Sequence, residues 1–170
     1  MKQAKQRSLL DIRTRRLNFL VSKKSMRKTP SEKLFFRWIY TALDNIYKNA
    51  DISLLLCDED EAKAYNSQYR NKDYATNVLS FEMGENLTPN LQHQKRLVGD
   101  MIICPEVVEK EAREQGKSLY AHYAHLAIHG TLHICGFDHL TDEEAVQMET
   151  LEIEILHQLG YENPYNSKEN

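Results

Sequence analysis

The sequence predicts a single α+β domain, with about four strands in a mixed sheet packed against a central buried helix that carries metal ligands, a zincin-like arrangement. Three observations predict it. Short apolar runs over residues 52–57, 77–82 and 97–104 have strand length, and helical-period segments fall between them without strict alternation. Residues 119–134 are apolar almost all the way round apart from histidine and tyrosine, which belongs in the middle of a domain. The length, 170 residues, suits one hydrophobic core.

Taken in order, residues 1–12 lack clear periodicity and read as a short or frayed lead-in. Leu17, Phe19 and Val21 alternate with their neighbours as a weak first strand. Pro30-Ser31 breaks the chain, and Ser31 caps a helix running to about residue 47. Leu34, Phe35, Trp38, Ile39, Ala42, Leu43 and Ile46 form its core face. After the buried strand over 52–57, Asp58 opens a helix to about residue 68, with acids in its first turn where the helix dipole favours them. A polar loop leads into the strand over 77–82.

Residues 84–95 read as an exposed loop, broken by Gly84, Asn86, Pro89 and Asn90. The strand over 97–104 ends at Pro105, which suits the first turn of a helix closed by Gly116. Ser118 caps the central helix. Thr141 and Glu144 form a capping box for the last helix, closed by Gly160, with Ala145, Met148, Leu151, Ile155 and Leu159 as its inner stripe. The tail after Pro164 is polar and reads as loose. The division expected is a basic extension over 1–15, one metal-dependent hydrolase domain over 16–165 and a tail over 166–170.

Hydrophobic residues make up 41% and charged residues 28%, a balance that excludes a membrane-embedded or low-complexity chain. No apolar run suggests a membrane span or a secretory signal. Cys57, Cys104 and Cys135 form no Cys-x-x-Cys pair, so a reducing cytoplasm is expected rather than a disulfide framework. Cys135 lies close to the histidines in sequence but reads as a small buried apolar residue. Net charge is −3, yet residues 1–30 hold ten Lys or Arg against the single acid Asp11. A basic arm on an acidic body suits contact with phosphates.

The chemistry concentrates in His129-Gly130-Thr131-Leu132-His133-Ile134-Cys135-Gly136-Phe137-Asp138-His139. Histidines four apart share one helix face, so His129 and His133 can converge. Gly136 can end the helix in a left-handed cap, letting His139 swing back. Three imidazoles around a position left open for water are the form of a catalytic zinc site. The spacing matches the metzincin peptidases except that Gly130 stands where they carry their glutamate base. His122 and His125, on the same helix, read as packing or hydrogen-bonding residues. Asp138 can orient an imidazole, cap the helix end or face solvent. Tyr69 and Tyr74 can stack on bases or pack beside a strand.

Three blocks together resemble the YbeY family of metal-dependent, single-strand-specific endoribonucleases. They are Tyr69-Arg70-x-Lys72-Asp73-x-x-Thr76-Asn77-Val78-Leu79-Ser80-Phe81, then residues 97–104, then the histidine segment. The resemblance runs from about residue 30 to 165. It implies a small α+β domain with a four-stranded sheet, one Zn2+ per chain held by His129, His133 and His139, and Arg70 as a residue that matters for cleavage. It implies precursor ribosomal RNA as substrate, with small-subunit 3′-end trimming and ribosome quality control as the work. The partners implied are the small subunit and its assembly factors. Glu82 departs from the family's usual Pro, and Asn71 from its usual Gly; both can alter the rim of the cleft. The mechanism expected is attack of zinc-activated water on a phosphodiester, with Arg70 stabilising the charge that gathers. Its competitors are a peptide hydrolase and a non-catalytic ribosome assembly factor whose zinc only holds the fold.

Overall fold

The computed structural model describes residues 16–85 and 96–166. The lead-in, the basic extension over 1–15, most of the expected exposed loop and residues 167–170 lie outside the described residues. Four strands form one sheet: β1 (Arg16–Lys23), β2 (Asn49–Leu56), β3 (Val78–Glu85) and β4 (Arg96–Ile103), in the order β1-β2-β4-β3. β1–β2 and β2–β4 are parallel and β3–β4 is antiparallel, so the sheet is mixed as the sequence predicts. Five helices accompany it: α1 (Glu32–Ala42), α2 (Glu59–Arg70), α3 (Pro105–Glu114), α4 (Leu119–Ile134) and α5 (Asp142–Gln158).

Alternation along the strands decides which helix covers which face. Ile52, Leu54 and Leu56 of β2 point with Leu97, Met101 and Ile103 of β4 into the main core, where Phe35, Trp38 and Ile39 of α1 and most of α4 meet them. The intervening Leu55, Cys57, Ile102 and Cys104, with Leu79 and Phe81, face the other way, against Ala62 and Tyr65 of α2. Each strand of the centre is thus covered on both sides, which is why its residues read as continuous apolar runs. At about 25 cal/mol per Å2, a fully buried side chain such as Phe35 or Ile39 contributes about 1.5–3 kcal/mol to this core.

α4 runs through the middle, with Tyr123, Ala124, Ala127, Ile128 and Leu132 fully shielded from solvent. It approaches the sheet at two glycines. A Cβ at Gly99 would lie 2.4 Å from Ile134 Cγ2, and one at Gly130 would lie 2.8 Å from Ser80 Oγ and 2.9 Å from Met101 Cε. Gly130 is therefore the point where β3 and β4 press on the helix, one residue beyond His129.

Several boundaries differ from the sequence reading. α1 ends at Ala42, not near residue 47, because the following turn places Asn45 at φ 65°, where a helix cannot continue. β2 begins at Asn49, as its full length is paired between β1 and β4. α2 continues to Arg70, two residues past the expected end near residue 68. Asn66 is buried there and its side-chain amide donates to the Tyr74 carbonyl (2.7 Å), while Asn71 supplies the left-handed cap at φ 55°. β3 extends past residue 82 through a register shift between Glu82 and Glu85. Glu82 itself is exposed on this edge strand, opposite Gly99. Part of the basic set is already neutralised, since Lys24 pairs with Glu61 (2.7 Å) and Arg27 with Glu109 (3.2 Å). None of the helices among the described residues is long and apolar enough to cross a membrane.

Candidate metal centre

α4 carries His129 and His133 one turn apart. The helix ends as its sequence dictates: Gly136 sits at φ 97°, its N–H donates to the His133 carbonyl (2.9 Å) and the Phe137 N–H to the Leu132 carbonyl (3.0 Å). That cap reverses the chain and delivers His139 beside the other two rings. Centroid separations are 4.5 Å for His129–His133, 4.9 Å for His133–His139 and 5.6 Å for His129–His139. One ring nitrogen from each lies within 4.8 Å of the others, so this trio can hold a metal ion. His129 and His133 are partly buried and His139 is half exposed, which leaves one side of the trio open.

The hydrogen bonds behind the rings settle which nitrogens face inward. His129 Nδ1 lies 2.5 Å from Glu152 Oε1, and His133 Nδ1 lies 3.0 Å from the Phe137 carbonyl. Both partners accept, so both Nδ1 atoms carry a proton, and in the neutral rings both Nε2 atoms present lone pairs. Those two Nε2 atoms face each other at 3.1 Å. Two acceptors at that distance repel unless a cation or proton lies between them. Tetrahedral Zn–N bonds of about 2.0–2.1 Å would put ligand nitrogens about 3.3 Å apart, so the donor set fits the metal. Burial, followed by the neighbouring His129 and His139, holds the His133 pKa below its usual value, which favours the neutral ring that a metal needs.

Glu152, on α5, is 0% exposed. It also accepts from His125 Nε2 (3.1 Å) and from the Tyr165 hydroxyl. Burial alone would raise its pKa, but the bonds from His125 and His129 outweigh it and lower the value to about 2, so the carboxylate is ionised. Sequence reasoning missed Glu152. The signal available was its position: between Met148 and Ile155 it falls on the inner stripe of α5, where a charge is out of place. Tyr165 corrects the reading of a loose tail after Pro164, since it is tied to Glu152 and packs edge-on against His125 at 5.4 Å. The second group with metal-ligand spacing, His125, His129 and Glu152, is closed by these hydrogen bonds.

His122 and His125 are hydrogen-bonding residues, as expected. His122 Nε2 meets Glu111 Oε2 at 2.8 Å, and the same carboxylate accepts from the Asn77 amide at 3.0 Å. Asp138 accepts from the His139 backbone N–H (2.8 Å) and so braces the chain at the third histidine. Cys135 is partly buried against the core and takes no part in the trio; its thiol pKa is pushed up to about 12 by burial and then by Glu82. Gly130 has no room for a glutamate side chain, which is the physical reason the metzincin base is missing. A cleft of about 390 Å3 opens beside His129, lined also by Asn77, Glu111, Lys117, His122 and Tyr165.

Arg70 is not gathered into this cluster. It is exposed at the last turn of α2, whose apolar side packs on the sheet face opposite α4. Its guanidinium makes no hydrogen bond or ion pair among the described residues. Tyr69 beside it is 56% exposed, with one ring edge on Phe81, and Tyr74 is 57% exposed.

Comparison with known proteins agrees with this architecture. The profile of the family described as Endoribonuclease YbeY matches residues 17–160. The chain belongs to the YbeY family. Among its relatives, Endoribonuclease YbeY of Neisseria gonorrhoeae is 52% identical over 97% of this chain and 97% of its own. The protein of the same name from Xanthomonas campestris pv. campestris is 51% identical over 80% of this chain and 84% of its own. The solution structure of TM1509 from Thermotoga maritima shares the fold at a TM-score of 0.54. It is 21% identical, and the match covers 89% of this chain and 99% of that one.

Proposed function

We propose that this YbeY protein is a zinc-dependent, single-strand-specific endoribonuclease of the cytoplasm. On this reading it trims precursor ribosomal RNA at the small-subunit 3′ end and serves ribosome quality control, with the small subunit and its assembly factors as partners. The name carried by its relatives supports RNA as the substrate. The observation that carries the chemistry is the pair of Nε2 atoms facing each other at 3.1 Å, with the half-exposed His139 completing the trio.

His129, His133 and His139 are the ligands in this proposal. Zinc held there supplies a Lewis acid and a nucleophile available near neutral pH. The chain's own part is to hold the rings, to keep the Nδ1 protons turned away on Glu152 and the Phe137 carbonyl, and to leave the fourth side accessible. Arg70, exposed and without a hydrogen bond or ion pair among the described residues, offers a planar fork of donors to a phosphate of the RNA strand. Tyr69 and Tyr74 present ring faces on which unpaired bases can stack. The hydrolase unit is residues 16–165, with 1–15 as a basic extension.

The test is cleavage of a single-stranded RNA and of its annealed duplex by protein stripped with a chelator and reloaded with zinc. Cleavage of the single strand alone, restored by zinc and absent in His133→Ala, is the expected result. Arg70→Ala should bind the single strand roughly tenfold more weakly, as loss of one charge-assisted phosphate contact does, while binding zinc normally. Cleavage that survives His133→Ala, or hydrolysis of an unstructured peptide in place of RNA, would overturn the reading.

A further inference from the structure

We propose that Glu152 is the positioning residue of the histidine trio and that Tyr165 locks it in place, so that the segment after α5 is part of the metal centre. The proposal rests on the reading that the trio holds a metal.

Glu152 stands in the buried row of α5 between Met148 and Ile155, with Leu156 behind it. A carboxylate removed from water in such a row persists only if donors replace its hydration. Its three donors all come from outside its own helix: His125 and His129 from α4, and Tyr165 from the following segment. They divide the two oxygens unequally. Among the described residues Oε1 serves His129 alone, at 2.5 Å, while Oε2 takes both His125 Nε2 and the Tyr165 hydroxyl. Bonds on both oxygens fix the carboxylate plane. The fixed plane in turn fixes the His129 ring and its tautomer, leaving Nε2 as the ligating atom.

Tyr165 is built into this arrangement. Its backbone N–H donates to Asn163 Oδ1 (2.9 Å), and its hydroxyl also lies 3.2 Å from His125 Nε2. Burial and then the Glu152 carboxylate push the phenol pKa up, so the hydroxyl stays a donor. Tyr165 also lines the cleft beside His129. One carboxylate therefore joins a metal ligand to a wall of the cleft, through a residue five positions from the end of the chain.

Two measurements on Glu152→Gln and Tyr165→Phe test this. Long-range 1H–15N correlation spectra of the metal-free protein read the His129 tautomer directly, and competition with a chromophoric chelator gives the zinc affinity. The wild type should show protonated Nδ1 at His129. Glu152→Gln, whose amide can donate as well as accept, should give mixed tautomers and bind zinc about 10–100-fold more weakly. Tyr165→Phe loses only a hydroxyl, so it tests the lock even if Glu152→Gln fails to fold. It should show a smaller zinc loss in the same direction, in a metal-free protein that still folds but melts a few degrees lower for want of one donor to the buried carboxylate. Unchanged tautomer and zinc affinity in the folded variants would overturn the proposal while leaving the trio intact as a metal site. A wild-type protein that binds no zinc would instead remove the reading on which it rests.

Discussion

His122 and His129 sit two turns apart on α4, and each is bonded to a carboxylate from another helix. They are nonetheless suited to opposite tasks. His129 meets Glu152 through Nδ1, which turns Nε2 outward towards His133. His122 meets Glu111 through Nε2, which leaves Nδ1 buried and without a hydrogen-bond partner among the described residues. If the trio holds a metal as proposed, neither the residue type nor the carboxylate is what makes a ligand. The ring nitrogen left over is what decides, and the packing of the neighbouring helix chooses it.

The largest effect that can break this comparison comes from deleting each ring. His129→Ala should abolish zinc binding and RNA cleavage, while His122→Ala should leave the zinc stoichiometry unchanged and lower only stability. Metal analysis after gel filtration, alongside the cleavage assay, checks both. Equal zinc loss in the two variants would mean that the leftover nitrogen is irrelevant.

A smaller effect tests the wall on which His129 stands. Gly130→Ala forces a Cβ to within 2.8 Å of Ser80 Oγ and 2.9 Å of Met101 Cε. Overpacking of this kind costs about 1–3 kcal/mol, and it should appear as a lower melting temperature in the metal-free protein. A melting temperature equal to the wild type's would show that β3 yields there, and that the close approach does not hold the helix in place.

The smallest effect sharpens the His122 side. Burial alone would raise the Glu111 pKa, but hydrogen bonds from His122 and Asn77 outweigh it and hold the value below the usual 4.5. A carboxylate whose pKa is depressed on folding stabilises the fold fully above its unfolded value, and that stability is lost as pH falls through the folded one. Glu111→Gln should therefore weaken the protein at neutral pH, by about 1–3 kcal/mol. It should also flatten the loss of stability on acidification below about pH 4.5, with zinc affinity unchanged. Denaturant melts across that pH range read both.

Much of this was legible in the chain. The 129–139 spacing gave the trio because helix period and a turning glycine are local properties. The capping box at Thr141 and Glu144 forms as written, for the same reason. The strand cores were legible because residues buried on both faces are apolar without interruption. What stayed hidden depends on meetings between distant segments. Glu152 lies 23 positions from His129, and nothing near it in sequence names its partner. Tyr165 looked like part of a polar tail because its anchor is a buried group on another element. Arg70 falls just past the helix end expected near residue 68, because the polar run gives no signal of the left-handed cap that Asn71 supplies. Gly130 reads as a missing base from the spacing alone, while its close approach to Ser80 and Met101 comes from distant strands.

The most direct test is anomalous diffraction at the zinc edge from crystals of the zinc-loaded protein. The account predicts a peak about 2.0–2.1 Å from Nε2 of His129, Nε2 of His133 and a ring nitrogen of His139, with the fourth side free of protein ligands. A peak on the Nδ1 side of His129, between His125 and Glu152, or none near the three rings, would contradict it.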